Sequence, residues 1–318
     1  MEGSAAPHIH DHGFEHEALL YAGEEEFVDR TATFVREAIE ADEPVLVMVG
    51  ARKLDRLRAE LADGADHVRF VDMEEAGRNP ARIIPAWRRF ATENGEPGRA
   101  MRGVGEPIWA GRSATELVEC QTHEALLNVA FADADGFRLV CPYDTTALDP
   151  AVVEEARRSH PIVSDGDVHW CSASYRAGDP SVAGFEKPLQ EPAPEARELE
   201  FGLETLSSVR MLVTSQAAAA GVQGPRAHDL ELAVSEVAAN SVRHGGGSGR
   251  LVVWTEPEAL VCEVRDAGWI EDPLVGRVAP TPDPDRGRGL WIANQMCDLI
   301  QIRSSPGGTA VRLHTRRT

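Results

Sequence analysis

The sequence predicts an α/β protein of two domains. The first is a parallel sheet with helices on both faces, and the second is a two-layer α/β sandwich. Three observations carry this reading. In the first half, short apolar runs such as Pro44–Gly50 alternate with amphipathic stretches of helix length, the pattern of strands buried on both faces. A Pro-, Gly- and charge-rich stretch over 176–197 then interrupts it. Beyond that stretch come two long helical patterns followed by strand pairs joined at turn residues. The expected organisation is a flexible start over 1–13, a first domain over 14–175, a linker over 176–195 and a second domain over 196–318.

The first domain reads in order as strand Glu17–Tyr21, helix Glu24–Ala41, strand Pro44–Gly50, helix Lys53–Leu61, strand His67–Asp72 and helix Ala81–Asn94. Strand Ala100–Trp109, helix Thr115–Ala130, strand Phe137–Pro142 and helix Pro150–Ser159 follow. Val168–Tyr175 is either a last strand or the start of the linker. In the second domain, Glu195–Ala220 reads as one long helix with Phe201, Leu203, Leu206, Val209, Leu212 and Val213 as its apolar positions. Gly221 ends it, His228 falls in a turn, and Pro225 starts the next helix at a position where proline is welcome. Strands Arg250–Thr255 and Leu260–Arg265, a helix from about Arg288 to Cys297, and strands Leu299–Arg303 and Thr309–His314 complete the chain.

Of 318 residues, 42% are apolar and 26% charged, the composition of a globular protein large enough for two cores. The net charge is −20; residues 195–318 hold 13 basic and 16 acidic residues, so most of the excess lies upstream. So acidic a surface repels nucleic acid. The five cysteines have no zinc-finger or redox spacing, which points to reduced thiols in the cytoplasm. No apolar run reaches membrane-spanning length, and the start has no signal-peptide pattern. His8, His10 and His12 read as part of a short tail.

A doubly covered sheet places ligands at the carboxyl ends of its strands. Those ends carry Gly50–Lys53, Glu106, Tyr143 and Asp144. Val49-Gly50-Ala51-Arg52-Lys53-Leu54 has one glycine and a leucine where a phosphate loop needs a hydroxyl, so no ATP site is expected there. The segments His16–Tyr21, Gly105–Trp109 with Gly111-Arg112-Ser113, His123–Asn128 and Cys141–Asp144 resemble the MEDS sensory domain. That resemblance implies a RecA/KaiC-like sheet which has lost its phosphate loop, and an unknown small-molecule signal, with a pocket expected near Glu106, Tyr143 and Asp144. His16, Cys120, His123, Cys141 and His160 are potential metal or haem ligands, but their spacings fit no metal motif, which assigns them structural roles.

The second domain carries the chemistry. In Glu231–His244, apolar Leu232, Val234, Val237, Ala238 and Val242 form a stripe on one side of a helix. Glu236, Asn240 and His244, four residues apart, form a polar row on one face, and three glycines follow. Downstream, Asp266 at a strand end can accept from the exocyclic amine of adenine, and Gly268 lets backbone approach the ring. Gly287-x-Gly289 opens a helix and presents N–H groups and the positive helix end to phosphates, with Arg286 and Arg288 adding charge. Asn240 can supply a neutral oxygen to Mg²⁺, and Glu236 can accept a proton from an attacking hydroxyl.

This order of pieces resembles the GHKL (Bergerat-fold, HATPase_c) superfamily of ATP-binding domains, over roughly residues 196–316. The helix at 195–220 has no histidine to act as a phosphoacceptor, and the ending Gly287–Ile292 with Pro306–Leu313 looks like the bacterial anti-sigma-factor serine kinases of the RsbW/SpoIIAB type. The resemblance implies Glu236 as base, Asn240 as Mg²⁺ ligand, Asp266 and Gly268 at adenine, Gly287 and Gly289 at phosphate, and Thr309 behind adenine. His244 either touches phosphate or caps the helix. It further implies ATP and Mg²⁺ as cofactors, a STAS-domain antagonist as substrate, an alternative sigma factor as partner, and a possible homodimer. Two other readings stay open: a non-catalytic ATP-binding regulatory module, and an atypical histidine kinase. The sequence departs from the family at Ile270, where a second glycine is usual, at Ala238-Ala239, and in a lid over Pro273–Asp285 with four prolines.

Overall fold

The computed structural model describes residues 13–96, 98–177, 188–280 and 288–317. Contacts divide the chain into two units, residues 1–78 with 86–183 and residues 79–85 with 184–318.

The first unit contains β1 (Phe14–Tyr21), α1 (Glu24–Glu40), β2 (Val45–Val49), α2 (Ala51–Leu61), β3 (Val68–Asp72), the short α3 (Met73–Ala76), most of α4 (Ile83–Asn94) and β4 (Met101–Gly105). Then follow α5 (Ala114–Ala130), β5 (Phe137–Asp144), α6 (Pro150–Ser159), β6 (Ile162–Asp165) and β7 (Val168–Cys171). The sheet order is β3-β2-β4-β5-β1-β6-β7, with every pair parallel except β6–β7. The alternation along β1 shows both faces in use. His16 reaches Glu124 and Asn128 on α5, while Tyr21, of opposite parity, packs on Phe27 of α1. All of β2 and β4 is buried; β2 is an unbroken apolar run, and β4 buries Arg102 in ion pairs with Glu37 and Glu43. Two readings change here. Of the segment left open between strand and linker, Val168–Cys171 is a strand, paired with a β6 that the sequence did not reveal, and residues 172–175 are not. β4 stops at Gly105 rather than Trp109, because Pro107 has no N–H to extend the ladder.

The second unit is a five-stranded antiparallel sheet, order β11-β12-β10-β9-β8, with three helices packed on it. Its elements are β8 (Arg197–Gly202), α7 (Leu206–Ala219), α8 (Pro225–His244), β9 (Ser248–Thr255), β10 (Ala259–Asp266), α9 (Arg288–Met296), β11 (Leu299–Ser305) and β12 (Gly308–Arg316). Residues such as Val213, Val234, Val237, Leu251, Leu260 and Leu313 form the core between helices and sheet. The expected long helix over 195–220 is wrong in its first part: Arg197–Gly202 is an edge strand paired antiparallel with β9. Leu199 packs against the core and Phe201 is buried within it while their neighbours point outward, a period of two. His228 lies in the first turn of α8, not in a turn outside it. The buried stripe of α8 is Leu230, Ala233, Val234, Val237, Ala238 and Ser241, so Leu232 and Val242 flank it rather than centre it.

No helix among the described residues is long and apolar enough to cross a membrane.

Candidate functional site

The carboxyl-terminal half of α8 floors a cavity of about 620 Å³. Because the inner stripe is buried in the core, the row Glu236, Asn240, His244 faces that cavity. The end of β10 contributes Asp266 and Gly268, the start of α9 contributes Arg288 and Gly289, and β12 contributes Thr309. Eight of the residues picked out from the sequence therefore line one space. Arg286 and Gly287, and the lid beyond residue 280, lie outside the described residues.

Asp266 is held before any ligand arrives. Ser241 Oγ donates to its Oδ2 at 2.6 Å, and the Gly268 N–H donates to its Oδ1 at 2.8 Å. Hydrogen bonds to a carboxylate are the strong kind, so the side chain is fixed in one rotamer. Both oxygens keep further lone pairs for a third donor. Antiparallel register sets Asp266 opposite Thr309. Thr309 Oγ1 donates to the Gly268 carbonyl at 2.8 Å, and Ser304 Oγ, 2.7 Å from Thr309 Oγ1, accepts from the Ile270 N–H at 2.8 Å. This chain of bonds pins the backbone over 268–270.

Glycines allow the close approaches. A Cβ on Gly245, at the end of α8, would sit 2.4 Å from Asp266 Cγ. One on Gly268 would lie 2.9 Å from the His244 carbonyl oxygen, and one on Gly289 would lie 2.6 Å from Asn240 Nδ2. The first turn of α9 thus presses against the Asn240 carboxamide, whose Oδ1 accepts from Arg243 at 3.3 Å. His244 and Arg288 are exposed at the rim, while Glu236 and Asn240 are half-buried. Val237, Ile270, Val275, Leu290 and Val311 supply apolar wall. Sequence reasoning missed Ser241 and Ser304. The signal for Ser241 was available: it is a polar residue at a position where the buried stripe of α8 calls for an apolar one.

In the first unit the expected pocket near Glu106, Tyr143 and Asp144 is split. Tyr143 is buried and meets the His160 ring edge-on, 5.6 Å between centroids. Glu106 is buried on the other side, where Lys53 Nζ donates to it at 2.5 Å and Tyr21 Oη at 2.7 Å. Burial pushes the Glu106 carboxyl above its ordinary range, against the pull of Lys53. Asp144 bonds Thr146 at the surface. Of the five potential metal ligands, His16, Cys141 and His160 come together; Cys120 is instead bonded to the Pro107 carbonyl.

Two family models match the chain. The MEDS domain (methanogen/methylotroph, DcmR sensory domain) matches residues 15–161, and the histidine kinase-like ATPase domain matches residues 199–315. No curated protein matches. Among solved structures, the RsbU and RsbW domains of Rv1364c from Mycobacterium tuberculosis are 20% identical, with a TM-score of 0.29, over 40% of this chain and 33% of that one. The chain therefore spans about a third of that structure's length. The protein joins an N-terminal MEDS domain to a C-terminal histidine kinase-like ATPase domain.

Proposed function

We propose that the C-terminal domain binds Mg²⁺–ATP in the cavity at the end of α8 and transfers the γ-phosphoryl group to a serine or threonine hydroxyl of a partner protein. The observation that supports this most is the fixed Asp266 carboxylate beside Gly268, in a cavity that also holds Glu236, Asn240 and the first turn of α9. Its volume is of the order of small-molecule sites, about 300–1,000 Å³. Mg²⁺–ATP supplies the transferable phosphoryl group and the cation that neutralises charge on it. Asp266 would accept from the adenine amine, and Ile270, Val275 and Val311 would supply apolar contact to the ring. Thr309 holds the Gly268 carbonyl and so the backbone behind the ring. Asn240 Oδ1 would hold the cation. The α9 N-terminus, with Arg288, and with Arg286 and Gly287 from the sequence, holds phosphate oxygens. Glu236, one turn before Asn240, takes the hydroxyl proton, a role worth about 10²–10⁴-fold in rate. His244 closes the last turn of α8 at the cavity rim.

The substrate in this reading is a STAS-domain antagonist of an anti-sigma factor. The protein itself is that anti-sigma factor, with its MEDS domain coupling a signal to the choice between antagonist and sigma factor. The support is the kinase-like site combined with the absence of histidine from residues 195–220, where a histidine kinase would carry its acceptor. The test is incubation with γ-labelled ATP and a STAS-domain protein encoded beside it. Acid-stable phosphoserine or phosphothreonine on the partner supports the proposal. Acid-labile phosphohistidine on either protein, or ATP binding with no transfer, overturns it.

A further inference from the structure

The MEDS domain buries a constellation that the nucleotide chemistry does not use. His16 of β1, Glu124 of α5, Cys141 of β5 and His160, directly after α6, are each at most 1% exposed. Each offers a ligand atom, and these atoms all lie within 4.8 Å of one another. The parallel register sets His16 opposite Leu139 and Ala18 opposite Cys141, so His16 and Cys141 are diagonal neighbours on one face of the sheet. Helices α5 and α6 pack together, and α6 also touches β1, which brings the other two residues over that face.

The hydrogen bonds around the cluster fix how each imidazole is presented. Asn128 Nδ2 donates to the Ser159 carbonyl at 2.8 Å, which turns its Oδ1 toward His16 Nδ1, 3.1 Å away. His160 Nδ1 lies 2.8 Å from the Ala156 carbonyl. A carbonyl oxygen accepts only, so both Nδ1 atoms carry the proton and both Nε2 atoms turn inward. There His16 Nε2 lies 3.1 Å from Glu124 Oε2 and 3.4 Å from Cys141 Sγ, and His160 Nε2 lies 3.2 Å from Glu124 Oε2. Among the described residues Glu124 Oε1 has no hydrogen-bond partner, and His160 Nε2 has only its contact with Glu124 Oε2. Two inward nitrogens, a carboxylate and a sulfur have thus been gathered among buried side chains, where a shared proton or a metal cation would offset the repulsion of their lone pairs.

We propose that His16, Glu124, Cys141 and His160 bind one divalent transition metal of the zinc class in a closed tetrahedral site. For metal–ligand bonds of about 2.0–2.3 Å, neighbouring ligand atoms of a tetrahedron lie roughly 3.3–3.8 Å apart, close to the three contacts measured. Two imidazoles, a thiolate and a carboxylate form a mixed set that suits Zn²⁺ and not Mg²⁺ or Ca²⁺. Two neutral imidazoles, one thiolate and one carboxylate also bring a divalent ion to net zero charge, which burial favours. On binding, the Cys141 thiol releases its proton to solvent, and the Nδ1–H bonds to Asn128 and Ala156 become the outer shell that orients the rings. The site ties β1, β5, α5 and the end of α6 together.

The test is made on the full chain. Metal content after purification without chelators is measured first, and the stripped protein is then titrated with Co²⁺. The expected result is one Zn²⁺ or Co²⁺ per chain. A thiolate-to-cobalt charge-transfer band should be lost in Cys141→Ser and kept in Cys171→Ser, whose cysteine is exposed. A fully folded wild-type chain that takes up neither ion at micromolar concentration overturns the proposal. So does a charge-transfer band that survives Cys141→Ser. The tail histidines His8, His10 and His12 cannot produce that band, so metal held there is told apart. Thermal unfolding of the stripped and reloaded wild type provides a readout that needs no variant: reloading should raise Tm, and an unchanged Tm counts against the site.

Discussion

Asp266→Asn isolates the adenine contact. The substitution changes one atom and no volume. Asp266 now accepts from Ser241 Oγ and from the Gly268 N–H, with lone pairs to spare for a third donor. In the asparagine variant the Gly268 N–H still needs an oxygen, so the amide oxygen takes that bond. The NH₂ group then faces Ser241, which can rotate its hydroxyl and accept. The fold therefore survives. What is lost is a charged acceptor for the exocyclic amine, since one of the two positions is now a donor. A hydrogen bond to a charged group is worth about 1.5–3 kcal/mol, which corresponds to roughly 10- to 150-fold in Kd. Isothermal titration with a non-hydrolysable ATP analogue, alongside far-ultraviolet circular dichroism, measures this. The expected result is a native spectrum with affinity weakened at least tenfold. Ser241→Ala, which frees the carboxylate rotamer without removing the acceptor, should weaken binding less. An Asp266→Asn protein that binds within twofold of wild type would place adenine elsewhere.

Three other outcomes follow from the same geometry. Gly289→Ala puts a methyl 2.6 Å from Asn240 Nδ2 and must displace that carboxamide, so Mg²⁺-dependent ATP affinity should fall about tenfold while ATP binding in EDTA changes less. Equal losses with and without Mg²⁺ count against Asn240 as cation ligand. Lys53→Met leaves Glu106 buried with Tyr21 as its remaining side-chain partner among the described residues and should cost about 3 kcal/mol in urea unfolding, most of it recovered by adding Glu106→Gln; no recovery contradicts the charge pairing. Finally, Cys171 alone is exposed, while burial pushes Cys120 and Cys297 up to about 12 and raises Cys141 and Cys262 as well. Ellman's reagent should count one prompt thiol in the native protein and five in denaturant.

The row Glu236, Asn240, His244 was legible because helix geometry makes a spacing of four a shared face, whatever the tertiary context. Asp266 and Gly268 were legible because a strand end followed by glycine is a local event. The misread segment is instructive. Arg197-Glu198-Leu199-Glu200 consists of good helix formers, and only pairing with β9 makes it a strand, so tertiary contact overrode local preference. Ser241 was missed because its partner lies 25 residues away and a lone serine on an apolar face carries little weight by itself. The metal-ligand cluster had no signature in spacing at all. Its four residues come from four elements, and β1 lies beside β5 only because a parallel sheet joins strands more than a hundred residues apart. Sequence spacing detects metal sites built on one hairpin or one helix, and this one is built by topology.

The division of labour on α8 is tested most directly by Glu236→Gln, with Mg²⁺–ATP affinity and phosphoryl-transfer rate measured on the same preparation. Glutamine keeps the shape of the side chain and removes its basicity. The expected result is a Kd within about threefold of wild type and a transfer rate lower by about 10²–10⁴-fold. Transfer at the wild-type rate, or loss of binding in step with loss of rate, would contradict the assignment of Glu236 as the base.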